Sequence, residues 1–177
     1  MASKSRKVLV PLATVLAAGA VAVGSGATFS STSGNTISAV TSGTLTQSNS
    51  KANAAIFNLA DMKPGDTLNG TLTITNTGSL PATFSLTEVS SANGFTGENL
   101  KLTITNTTTN AQVYSGTFGG LEDGAAEDLG VIQNGVANNF RFTVVLDQNT
   151  PNGDQGKTAS AVYQWDSVQL AAETFNQ

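Results

Sequence analysis

The 177-residue chain contains no cysteine and no histidine. The first absence removes disulfides, thiol nucleophiles and every thiolate-bound metal. The second removes Ser-His-Asp catalysis, imidazole general bases and the usual zinc ligand sets. Charge is scarce as well: Asp, Glu, Lys and Arg make up 11% of the chain, against about 25% in ordinary soluble domains. Thr, Ser, Asn and Gly take that space. They supply a polar surface without charge, and Thr also favours strands. Beyond the N-terminal region no window shows sustained helical periodicity. Together these absences point away from an enzyme and toward a β-rich binding or structural domain.

The N-terminus has the three parts of a secretory signal peptide. Lys4, Arg6 and Lys7 are positive, residues 8–23 are apolar and uncharged, and Gly24, Ser25, Gly26 and Ala27 are small. The competing reading is a membrane anchor, which needs about 20 apolar residues. This run is shorter, contains Pro11 and is rich in Ala and Gly. Residues 1–27 are therefore expected to be removed, with the scissile bond between Ala27 and Thr28. Residues 28–177 remain, the size of one domain, and are expected to be secreted and free of the membrane. All 12 acidic residues lie in that part with 5 of the 8 basic ones, a net charge of −7. Such a balance opposes binding to nucleic acid or anionic membranes.

The mature region reads as short strands between turn clusters. In residues 68–76 Leu68, Leu72 and Ile74 share one face and Asn69, Thr71, Thr73 and Thr75 the other, the period of two of a half-buried strand. The pattern recurs at 100–106, with Leu102 and Ile104, and at 139–147, with Phe140, Phe142, Val144 and Leu146. Weaker strands are expected at 37–45, 54–59, 82–87, 111–118 and 157–168, the last placing Ala159, Ala161, Tyr163 and Trp165 on one face. Pro64-Gly65-Asp66, Asn76-Thr77-Gly78, Asn93-Gly94 and Pro151-Asn152-Gly153-Asp154 mark turns. Residues 90–99 and the acidic stretch 119–128 read as the longest irregular segments. About eight short strands without helices between them predict an all-β, antiparallel, jelly-roll-like sandwich.

No candidate site is strong. Glu122, Asp123, Glu127 and Asp128 offer clustered carboxylates of the kind Ca²⁺ takes, as do Asp147 and Asp154. Neither group has the D-x-D-x-D-G spacing of a dedicated loop, so solvated loops are the expectation and no cofactor is assigned. Glu88, Asp66 and Asp166 have no spacing that pairs two carboxylates for glycosidase chemistry. The Thr rows 71, 73, 75 and 103, 105 read as solvent faces, and Trp165 with Tyr163 as core rather than a sugar platform. Lys63 and Lys101 are candidates for a Lys–Asn isopeptide crosslink only in a minor reading.

Several segments, in order, resemble the TasA/camelysin family. They are Gly26-Ala27-Thr28-Phe29-Ser30, Ile37 and Ser42-Gly43-Thr44-Leu45; then Leu59 through Asp66, similar to an L-x-P-G-D turn; then Asn76-Thr77-Gly78-Ser79-Leu80. Near the C-terminus come Asn152-Gly153-Asp154-Gln155-Gly156-Lys157 and Tyr163-Gln164-Trp165. Residues 90–136 carry none of the resemblance. The resemblance implies a secreted sandwich cut by a dedicated signal peptidase and assembled head to tail with itself into extracellular fibres of the biofilm matrix or cell surface. The assembly it implies is donor-strand complementation, in which the N-terminal segment of one subunit completes the sheet of the next. Here that segment is residues 28–38, including Thr28, Phe29, Thr36 and Ile37. Part of the family carries a metallo-endopeptidase label. This sequence lacks the His-Glu-x-x-His helix that would support it. A monomeric module binding sugars or a surface receptor is the remaining alternative.

Overall fold

The computed structural model describes residues 43–56, 62–171 and 173. The signal peptide, the Ala27–Thr28 bond and the expected donor segment with Phe29, Thr36 and Ile37 lie outside the described residues.

Eight strands follow in chain order: β1 (Gln47–Asn49), β2 (Thr67–Asn76), β3 (Ala82–Asn93), β4 (Leu100–Asn106), β5 (Ala111–Thr117), β6 (Ala126–Ile132), β7 (Ala137–Leu146) and β8 (Ala159–Gln169). A 3₁₀ turn, Asn152–Asp154, precedes β8. The strands form two antiparallel sheets of unequal width, β1-β2-β7-β4-β5 and β6-β3-β8. The expected all-β sandwich is what the chain adopts.

Alternation decides the packing. Leu72 and Ile74 of β2, Phe84 and Leu86 of β3, Leu102 and Ile104 of β4, and Phe140, Phe142 and Val144 of β7 all point inward, each at most 3% exposed. Successive side chains leave opposite faces of a strand, so the intervening Thr, Asn and Lys residues meet solvent. The sheets register through aromatic contacts. Phe140 lies 4.8 Å from Trp165 and Phe142 lies 5.3 Å from Tyr163, centroid to centroid, which sets β7 over β8. β5 approaches β6 at the other side.

Three expectations change. The segment 119–128 is not all loop, because β6 begins at Ala126. Residues 90–93 are not irregular, because β3 continues to Asn93 with a bulge between Glu88 and Ser90. Residues 54–56 are bend and irregular backbone rather than strand, since the chain must reverse between β1 and β2; the rest of that expected strand, 57–59, lies outside the described residues.

Candidate functional site

Two turns that looked generic in sequence are structural fasteners. At Lys63-Pro64-Gly65-Asp66 the Asp66 N–H donates to the Lys63 carbonyl at 2.9 Å, and the Lys63 N–H donates to Asp66 Oδ2 at 2.8 Å. Gly65 has φ +91°, which a type II turn requires at its third position. At the opposite end Asn76 is fully buried. Its Nδ2 donates to the carbonyls of Leu80, 2.8 Å, and Ile132, 2.9 Å, and its Oδ1 accepts the Gly78 N–H at 3.0 Å. One side chain thus ties the β2–β3 turn to the end of β6. Gly78 lies flat against the Thr44 carbonyl, where a Cβ would collide.

The carboxylates do not converge. Asp154 is buried and accepts from the Thr96 N–H, the Thr96 hydroxyl at 2.7 Å and Asn99 Nδ2 at 2.8 Å. The Asn99 amide first and the Thr96 hydroxyl second hold it below its ordinary value of 3.8. Asp147 accepts from its own turn, the Asn149 N–H at 2.8 Å. Asp166 stands on the outer face of β8 and accepts from Gln164. Glu122 and Asp123 sit in the β5–β6 loop, whereas Glu127 and Asp128 belong to β6. Among the described residues no three acidic side chains gather where a metal ion would sit. With no histidine or cysteine in the chain, the described residues do not compose a zinc ligand set. Trp165 is 8% exposed and packs on Phe140, so it is core. Lys101 stands on the solvent face of β4, and Lys63 lines the cavity described below.

One buried acid stands apart. Glu88 continues the inward series Ala82, Phe84, Leu86 on β3 and is 1% exposed, with neither carboxylate oxygen hydrogen-bonded. Tyr163 is its register partner on β8, and its hydroxyl is likewise buried without a partner. The two groups face one another without closing a hydrogen bond. Burial first, then the Glu88 charge, pushes both the Tyr163 and Tyr114 phenols above their ordinary value of 10.0. The sequence carried the signal for Glu88: an acid at the fourth inward position of an alternating strand.

The feature that bears on function is the mismatch of the sheets. With β7 over β8, the larger sheet runs on through β2 and β1, while among the described residues the smaller sheet stops at β8. Leu68, Met62, Ala159, Ala161 and Tyr163 are half-buried against the core, while Leu72 and Ile74 on the inner face of β2 are covered. Gln47 of β1 reaches the smaller sheet, its Nε2 donating to the Trp165 carbonyl at 2.7 Å. A cavity of about 800 Å³ is lined by Met62, Phe95, Leu100, Leu146, Lys157 and Ala159, among others. A strand edge exposing unpaired N–H and C=O groups is a template for another strand.

A family model described as camelysin metallo-endopeptidase matches residues 5–93, half of the chain. The chain belongs to the camelysin family. The match takes in the N-terminal residues 5–42, outside the described residues, with the Pro64-Gly65-Asp66 turn and the Asn76–Leu80 fastener. No curated protein matches. Among solved structures, a family 123 glycoside hydrolase from Clostridium perfringens, studied for glycolipid glycan hydrolysis, aligns over 62% of this chain with 14% identity and a TM-score of 0.34. The chain spans 19% of that enzyme. Among the described residues of this camelysin-family chain, no helix is long and apolar enough to cross a membrane.

Proposed function

We propose that this camelysin-family chain is a structural subunit, not a protease: exported, cut between Ala27 and Thr28, and assembled head to tail into extracellular fibres by donor-strand complementation. The observation that supports the reading is the unequal pair of sheets, three strands against five among the described residues, with the eleven-residue β8 at the outer side of the smaller sheet. An edge of this kind gains main-chain hydrogen bonds and apolar burial when an extended segment adds to it. Residues 28–37, Ser- and Gly-rich with an apolar residue near each end, are suited to extend along an edge and too polar to form a core alone. A contact in which one patch binds a different patch of the next copy does not close on itself and produces filaments.

Deletion of residues 28–37 from the secreted protein is expected to abolish filaments in negative stain while the circular dichroism of the sandwich is retained. Undiminished filaments after the deletion would remove the mechanism. N-terminal sequencing of the secreted form locates the cut. The cavity of about 800 Å³ favours a second reading, a monomeric ligand-binding module, for which the intact protein would stay monomeric at all concentrations.

A further inference from the structure

The chain contains four Asn-Gly pairs, at 69–70, 93–94, 134–135 and 152–153. Such a pair holds both halves of a reaction. The backbone nitrogen that follows an asparagine attacks the side-chain carbonyl carbon of that asparagine, and glycine, with no Cβ, leaves the approach open. The attack requires the glycine N–H to lose its proton to solvent base. An N–H held in a hydrogen bond is protected from that loss.

Three of the pairs are held. The Gly94 N–H donates to the Thr158 carbonyl at 3.0 Å. The Asn93 amide beside it is fixed at both ends, Nδ2 on the Phe118 carbonyl at 2.9 Å and Oδ1 on the Phe95 N–H at 3.0 Å. The Gly135 N–H donates to the Asn76 carbonyl at 2.8 Å. Gly70 is buried within the β2–β7 ladder opposite Phe142, and Asn69 Oδ1 accepts the Thr143 hydroxyl at 2.7 Å. The fourth pair is open. Asn152 and Gly153 are both exposed, on the 3₁₀ turn before β8. That turn is closed by the two N–H groups that follow, Asp154 on the Pro151 carbonyl and Gln155 on the Asn152 carbonyl. The first N–H groups of a helical turn have no partner within it. Among the described residues neither the Gly153 N–H nor the Asn152 amide makes a hydrogen bond. The space is free as well, since a Cβ on Gly153 would meet nothing within 4 Å.

We infer that Asn152 is a self-modification site, converted by the Gly153 nitrogen, without an enzyme, to aspartate and isoaspartate. The Gly153 nitrogen gives its proton to solvent and bonds to Asn152 Cγ. The Cγ–Nδ2 bond breaks, and Nδ2 leaves as ammonia with a proton taken from water. One water molecule then opens the cyclic imide. Opening at Cγ gives aspartate; opening at the backbone carbonyl carbon gives isoaspartate, whose main chain runs through Cβ and Cγ. Nothing is oxidised or reduced. The isoaspartate re-spaces the turn: the Asn152 carbonyl, which accepts the Gln155 N–H at 3.1 Å, becomes a free carboxylate, and the main chain gains a methylene. Two residues on, the buried Asp154 is held by the Thr96 hydroxyl and Asn99 Nδ2. The turn that presents Asp154 to those partners is the segment that changes. Fresh chains have the β3–β4 loop fastened to it, and aged chains have the fastening loosened.

The test is ageing of the full secreted protein in warm, mildly alkaline buffer, followed by peptide mass mapping, ammonia release and isoaspartate content. In the folded protein Asn152 is expected to convert roughly tenfold or more ahead of Asn69, Asn93 and Asn134, because opening the fold must precede reaction at those three. In urea the four are expected to convert at similar rates. Equal conversion at all four pairs in the folded protein, Asn134 ahead of Asn152, or an Asn152 that persists while the unfolded chain converts would each overturn the site. Gly153→Ala is expected to slow the reaction on the order of tenfold, since its Cβ crowds the attacking nitrogen. Asn152→Gln, which must close a larger ring, is expected to stop it. Ageing is expected to lower the thermal midpoint of the parent and to leave that of Asn152→Gln unchanged. A fully converted protein with the midpoint of the fresh one would overturn the loosening of the Asp154 fastening.

Discussion

Glu88 is the residue most at odds with its surroundings. A polar group buried without a hydrogen bond costs about 1–3 kcal/mol relative to a satisfied one, and Glu88 presents two such oxygens against a phenol that is also unpartnered. Glu88→Leu keeps an apolar stem in that space and removes the penalty. It is expected to raise stability by about 1–3 kcal/mol in urea unfolding, and an unchanged or lowered midpoint would show that Glu88 contributes packing or bonding that its isolation hides. The same substitution acts on the alkaline limb. Tyr163 and Tyr114 are raised above 10.0 in the folded chain, so the folded state keeps protons that the unfolded state gives up. Their contribution is complete below pH 10 and is lost as pH climbs beyond it. With Glu88 gone one cause of the raised values is gone, and the loss of stability above pH 10 is expected to be shallower.

At the scale of elements, period-two alternation made β2, β4 and β7 legible almost to the residue, because a half-buried strand must alternate and these three do so without interruption. β6 was not legible, for a physical reason. A bulge sets Leu129 and Gly130 against a single partner, Phe84, so the inward series breaks between Ile132 and Leu129. Gly130, with φ +80°, and Glu127-Asp128 then imitate a loop. β3 was cut short for a related reason: its fourth inward residue is an acid, and a bulge follows at once. Asp154, expected in a solvated loop, is buried instead, because its partners Thr96 and Asn99 are more than 50 residues away in sequence and no local pattern reveals them. It joins the β3–β4 loop to the 3₁₀ turn before β8, beside the cavity. Its carboxyl titrates below 3.8 in the folded chain, so its contribution is present above that pH and fades as pH falls below it. Asp154→Asn is expected to lower the thermal midpoint at pH 7 and to flatten the loss of stability below pH 4. Equal acid sensitivity in both proteins would show that another carboxylate governs that limb.

At the scale of the whole molecule, the proposed head-to-tail exchange requires a donating segment and an accepting surface that are different parts of the chain. The low charge of the chain fits this arrangement, since strand addition relies on main-chain hydrogen bonds and apolar burial and leaves little for ion pairs to do. A chain that begins at Gly43 retains the described sandwich, β8 included, but lacks the proposed donor residues 28–37. It is expected to accept a donor from a growing filament and then to end it. Added at a tenth of the molar amount of intact secreted protein, it should shorten filaments severalfold and appear, when gold-labelled, at one end only. Labels at both ends would contradict the polarity that a head-to-tail exchange imposes. Labels along the sides with unchanged lengths would place the binding surface on a sheet face instead of the β8 edge.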